Sequence, residues 1–87
     1  MFIEIQKEVF MEISIKYCVE WNYLPRAVGL ADAVKKRFGL ESRLIKGGGG
    51  VFEVAFDNKV FYSKKDNRGR FPTHEEIFEL IEKYQNT

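Results

Sequence analysis

Tyr17-Cys18-Val19-Glu20-Trp21-Asn22-Tyr23-Leu24-Pro25-Arg26 decides how this chain is read. It holds the single cysteine of an 87-residue chain. Upstream, Met11, Ile13, Ile15 and Tyr17 alternate with Glu12, Ser14 and Lys16. That is the two-residue period of a half-buried strand. Downstream, Asn22 fits a helix cap and Pro25 a first helical turn, where its missing N–H costs little. Leu24, Ala27, Val28, Ala31, Val34 and Phe38 then fall on one helical face, with Arg26, Lys35, Lys36 and Arg37 mostly away from it. Gly39 ends the helix, and positive side chains in its last turn agree with the dipole. Cys18 therefore stands between a strand and a helix. Unpaired N–H groups and the positive end of a helix dipole favour thiolate, and such sites lower a thiol from about 8.5 to roughly 3.5–7.5. Glu20 opposes this by like-charge repulsion. The other reading of Cys18 is a small apolar residue closing a strand end. Position alone leaves both open.

The remaining segments follow outward from this stretch. Leu40 to Lys46 holds a short strand, with Ser42, Leu44 and Lys46 alternating against Arg43 and Ile45. Gly47 to Gly50 is a loop. Val51 to Phe56 is a third strand with Phe52, Val54 and Phe56 on one face, and Asp57-Asn58 is a tight hairpin turn into Lys59 to Ser63. Lys64 to Pro72 is a basic, glycine-containing loop. Thr73 and Glu76 form a capping box, and the final helix buries Ile77, Phe78, Leu80, Ile81 and Tyr84. A strand, a helix and a strand of this size make a parallel pair with a right-handed crossover. The order β-α-β-β-β-α gives an α/β two-layer sandwich, a four-stranded mixed sheet with two helices on one face. This is the minimal thioredoxin-like arrangement. Residues 1–10 form an N-terminal arm ahead of the domain at 11–87. Ile3 and Ile5 alternate with Glu4 and Gln6, so the arm reads as an extra edge strand, a dimer contact or a loosely held tail.

Composition excludes several functions. With 45% hydrophobic and 15% aromatic residues the chain fills a modest core unaided. One cysteine permits no internal disulfide, and one cysteine with one histidine, His74, gives no cysteine-based zinc site. A reducing, cytoplasmic location follows as the default. No apolar run reaches the ~20 residues of a membrane span, and the first residues lack the apolar centre of a signal peptide. A net charge of +1 with both signs interspersed gives no pull toward nucleic acid or an anionic membrane.

Four segments, in order, resemble the family of selenoproteins W, T and H and their cysteine-containing relatives, the Rdx family. They are Tyr17 to Ala27, Gly49-Gly50-Val51-Phe52-Glu53-Val54, Ser63-Lys64-Lys65 and Gly69-Arg70-Phe71-Pro72. The resemblance covers roughly Glu12 to Tyr84. It implies a thioredoxin-like redox protein whose motif is Cys-x-x-Cys or Cys-x-x-selenocysteine. Cys18 matches the first position. Trp21 occupies the second, with Val19 and Glu20 between, so two-thiol chemistry is excluded for this chain.

Monothiol chemistry remains. A Cys18 thiolate attacks a mixed disulfide or a peroxide, and an external thiol such as glutathione resolves the product. In thioredoxin-like folds the loop before the third strand lies beside the active cysteine and offers backbone to an extended peptide. Here that loop is Gly47 to Gly50, running into Val51, or it is a plain connector. No helix follows the glycines, so a phosphate-binding loop is a poor fit. Trp21 is either a platform for a ligand or a lid over the helix end. Lys64, Lys65, Arg68 and Arg70 suit the carboxylates of glutathione or of an acidic partner, or are simply solvated. His74 reads as an exposed residue of the first helical turn. The expectation is a thiol-redox protein acting through Cys18, with no bound cofactor, glutathione as co-substrate or a protein thiol or disulfide as partner, and a monomeric or weakly dimeric state. The second expectation is a protein-binding module that kept the fold and lost the chemistry. The third is metabolite binding at the same cleft without turnover.

Overall fold

The computed structural model describes residues 11–86. The expected N-terminal arm at 1–10 lies outside the described residues. The elements are β1 (Ile13–Cys18), α1 (Leu24–Phe38), β2 (Ser42–Gly47), β3 (Phe52–Phe56), β4 (Lys59–Ser63), a single 3-10 turn (Lys65–Asn67) and α2 (His74–Gln85). The sheet order is β2-β1-β3-β4. β1 runs parallel to β2, from Ile13 opposite Ser42 to Cys18 opposite Gly47. It runs antiparallel to β3, with Ile15 opposite Val54. β3 and β4 form a hairpin with an irregularity between Val54 and Ala55. The thioredoxin-like two-layer arrangement expected from the sequence is the one observed.

Alternation builds one face of the sheet into the core. Ile13, Ile15 and Tyr17 of β1 and Phe52, Val54 and Phe56 of β3 are all buried. Ala27, Leu30 and Val34 of α1 and Ile77 and Ile81 of α2 close over them. The two helices also touch each other: Phe38 meets Phe78 edge-on at 5.6 Å, and Arg37 reaches Glu82 at 3.2 Å. The α1 stripe differs from the sequence reading. Leu30 faces inward, whereas Leu24 and Val28 are 43% and 48% exposed. At 100° per residue the buried stripe runs Ala27, Leu30, Ala31, Val34, Phe38. Val28 lies a quarter-turn off it, and Leu24 stands in the first turn.

The helix start also differs. Tyr23, not Asn22, is the N-cap of α1, and its side chain makes no capping bond. Asn22 adopts a left-handed backbone (φ 60°), which asparagine tolerates better than most residues. It closes a turn in which the Asn22 amide donates to Val19 O at 3.2 Å and the Tyr23 amide to Cys18 O at 3.2 Å. Pro25 sits in the first turn as expected, and Gly39 ends the helix left-handed at φ 71°. At the β3–β4 hairpin both Asp57 (φ 51°) and Asn58 (φ 71°) are left-handed, the geometry that suits a two-residue turn between twisted strands.

Two carboxylates fasten the ends of elements. Asp57 accepts from the Glu12 amide at 2.9 Å and from the Tyr84 hydroxyl at 2.6 Å. These bonds, Tyr84 first, hold its carboxyl below the usual range. Thr73 caps α2 in a full capping box with Glu76, as expected. Glu76 also takes both guanidinium nitrogens of Arg70, at 2.8 and 2.9 Å. Arg70 first, then the Thr73 amide, lower the Glu76 carboxyl from 4.5 to about 2.

Three outcomes are expected. Ile81→Ala empties a fully buried position and should cost roughly 2–5 kcal/mol in urea denaturation. A loss below about 1 kcal/mol would mean that α2 does not seal the core. Both depressed carboxyls contribute stability that is complete above their unfolded-state values and lost as pH falls through the folded ones. The melting temperature should therefore decline from about pH 5 down to about pH 2. Glu76→Gln keeps the reach back to the Thr73 amide but loses the Arg70 pair. It should melt lower at pH 7 and show a shallower decline; an unchanged slope would remove Glu76 from the acid transition.

Candidate functional site

The site lies at the carboxyl end of β1. The ladder on both sides continues past the strand. The Cys18 amide donates to Val51 O at 2.9 Å and the Val19 amide to Gly47 O at 3.1 Å. Cys18 is thus held by backbone on each side, next to the Gly47–Gly50 loop, as the sequence reading expects. One feature of that reading changes, and one of its two alternatives for Cys18, the buried one, is met. α1 begins only at Leu24, so a turn separates Cys18 from the helix N-terminus. The Cys18 side chain is 0% exposed. Val19 and Glu20, by contrast, are exposed on the turn.

Trp21 is 58% exposed, and its position is fixed by one glycine. A Cβ built on Gly50 would lie 2.6 Å from Trp21 Cζ3, so the indole rests directly on the Gly50 backbone. Gly50 is left-handed at φ 78°, a conformation that side chains disfavour for a second reason. Gly49 is left-handed too and faces open space. Trp21, Gly49, Gly50, Val51, Phe52, Glu53, Ser63, Lys64 and Lys65 line one cleft of about 250 Å³. Of the predicted site residues, the cleft gathers Trp21, Gly49, Gly50, Val51, Lys64 and Lys65. Cys18, Val19 and Glu20 do not line it.

An aromatic series runs inward from Trp21. Its ring meets Tyr23 edge-on at 6.2 Å, Tyr23 meets Phe71 at 4.8 Å, and Phe71 meets the buried Phe52 at 5.2 Å. Cations lie over this series. Lys64 Nζ is 5.4 Å from the Tyr23 ring and 5.5 Å from the Phe71 ring. The Arg26 guanidinium is 4.4 Å from Phe71. Tyr23, Phe71 and Arg26 are missing from the sequence-derived site. The only hint of them is the aromatic spacing Trp21-x-Tyr23 and the Arg70-Phe71-Pro72 segment, because pairing residues so far apart requires the fold.

The basic cluster predicted in the 64–72 loop divides. Arg70 is consumed by Glu76, and its carbonyl accepts from the Tyr62 hydroxyl at 2.6 Å. Arg68 is exposed beyond the 3-10 turn, outside the cleft. Lys64 and Lys65 remain at the cleft and take part in no ion pair among the described residues. No group of three potential metal ligands occurs among the described residues. His74 lies in the first turn of α2, exposed, with its ring 6.3 Å from Phe78. It borders a separate concavity of about 210 Å³ with Arg26 and Phe71. A larger hollow of about 620 Å³, lined by Met11, Glu12, Gly39, Leu40, Glu41 and Asp57, lies at the opposite end of the sheet and contains none of the predicted residues.

The chain is similar to proteins of known sequence and structure across most of its length. The mouse (Mus musculus) protein named migration and invasion enhancer 1 is 30% identical over 84 residues, which cover 95% of this chain and 72% of that protein. Its cattle (Bos taurus) counterpart is 31% identical over 77 residues, covering 87% of this chain and 66% of that protein. A crystal structure from Bordetella parapertussis superposes with a TM-score of 0.80 at 26% identity, covering 85% of this chain and 96% of that one. A selenoprotein W-related protein from Vibrio cholerae superposes at 0.79 with 23% identity, covering 85% and 95%, and shares the fold. The sequence pattern of the Rdx family matches residues 12–83, and the chain belongs to that family.

Proposed function

We propose that this chain is a non-catalytic binding module of the Rdx family, whose contact surface is the Trp21 cleft. One contrast carries the reading. The lone thiol is 0% exposed, while the residue standing at the second redox position is a tryptophan that is 58% exposed. A nucleophile must reach its substrate, and a fully buried thiol does not without local opening. An exposed indole beside uncancelled positive charge is what a binding surface offers. The sequence reading ranks these two functions in the other order, because it sets Cys18 against a helix end that the structure places a turn away.

Monothiol exchange is the second reading, favoured by the backbone clamp that holds Cys18 beside the glycine loop. In it, the Cys18 thiolate attacks a glutathione mixed disulfide and expels the substrate thiolate. A second glutathione thiolate then attacks the Cys18–glutathione disulfide, which regenerates Cys18 and releases oxidised glutathione. Either function suits a reducing cytoplasm, where one free cysteine persists.

Alkylation separates the two. Iodoacetamide should modify Cys18 in the native protein at least about a hundredfold more slowly than in the unfolded chain, at every pH from 4 to 10. Rapid native alkylation with a midpoint below about 8.5 would reverse the order and make monothiol exchange the leading function.

A further inference from the structure

We infer that the Trp21 cleft takes an extended acidic peptide segment, with an apolar side chain against the indole and a flanking carboxylate at the Lys64–Lys65 end. The inference rests on the binding reading above and names the chemistry of its partner.

Size argues first. Small-molecule pockets occupy roughly 300–1,000 Å³, and this cleft is smaller. Its volume of about 250 Å³ holds one or two side chains of a longer chain, not an enclosed metabolite.

Charge argues second. The ion pairs of the described residues take up Lys35, Lys36, Arg37 and Arg70. Lys64 is positioned by the Tyr23 and Phe71 rings instead of by a carboxylate, so it is held in place with its charge uncancelled. Lys65 follows it, exposed. Backbone donors are available as well: the Gly49 and Gly50 amides enter no hydrogen bond among the described residues. Glu53 is the one acid of the lining. It repels a second carboxylate along β3 and directs an incoming acid toward the lysines. A nucleic acid fits less well, because two lysines beside a glutamate give little purchase on a phosphate chain.

The test uses the full chain and two blocked hexapeptides, acetyl-GEFEGG-amide and acetyl-GQFQGG-amide. Trp21 is the single tryptophan, so its emission reports binding directly, and the Gly49 and Gly50 amide shifts locate it. The acidic peptide should bind roughly three- to fivefold more tightly than the neutral one, and the difference should shrink as salt rises. Lys65→Gln should weaken the acidic peptide by about threefold, and Glu53→Gln should tighten it by about twofold. Opposite signs at two exposed or half-exposed positions are not produced by a general loss of structure, which circular dichroism of each variant checks. Equal binding of the two peptides, indifference to both substitutions, tighter binding of a thymidine hexanucleotide, or no binding of either peptide at millimolar concentration would each overturn the inference. The parent reading fails separately, through fast native alkylation of Cys18.

Discussion

β1 carries the structure. It is the only strand among the described residues that is paired in parallel on one side and antiparallel on the other. Its three inward side chains, Ile13, Ile15 and Tyr17, are among the buried residues on which both helices rest. A one-residue slip along β1 would turn those side chains outward and bring Ser14 and Lys16 into the core. The same register sets the site. Because the ladder continues through Cys18 to Val51 and through Val19 to Gly47, the turn that presents Trp21 begins at a fixed point. The fold's main constraint and the position of the candidate surface are one feature.

Local pattern made much of this legible. The alternation of Met11 to Tyr17, the Gly39 stop, the Asp57-Asn58 turn and the Thr73–Glu76 capping box are each decided by near neighbours along the chain, and each is found as read. Leu24 and Val28 were not legible, because helical periodicity gives an apolar face without saying which edge of it meets the sheet. Nor was the cap of α1, because Asn22 serves equally well as a cap or as a left-handed turn residue, and only the hydrogen bonds around Val19 and Cys18 choose between them.

The site shows the same division. Trp21, the glycines and the lysines were accessible through motif resemblance, and they do come together around one cleft. The burial of Cys18 was left open, since a cysteine at a strand end reads equally as a reactive thiol or as a small buried apolar residue. The aromatic series was hidden. It joins Trp21 and Tyr23 to Phe52 and Phe71, from separate segments, and no local rule connects them. The split of the basic cluster has a similar origin: Arg70 is spent on Glu76 because α2 begins there, whereas Lys64 is turned toward rings supplied by another part of the chain.

The Asp57 carboxylate has an architectural effect beyond its bonds. By taking the Glu12 amide and the Tyr84 hydroxyl together, it brings the start of β1 and the last turn of α2 to one pole of the domain. Trp21 and its cleft occupy the other, at the carboxyl end of β1. The domain is therefore polarised along its strands, with the Asp57 anchorage at one end and the Trp21 cleft at the other. A tether, a label or a second domain joined after α2 leaves from the anchored pole. Such an attachment would leave the cleft facing outward, as on a molecule held by its handle.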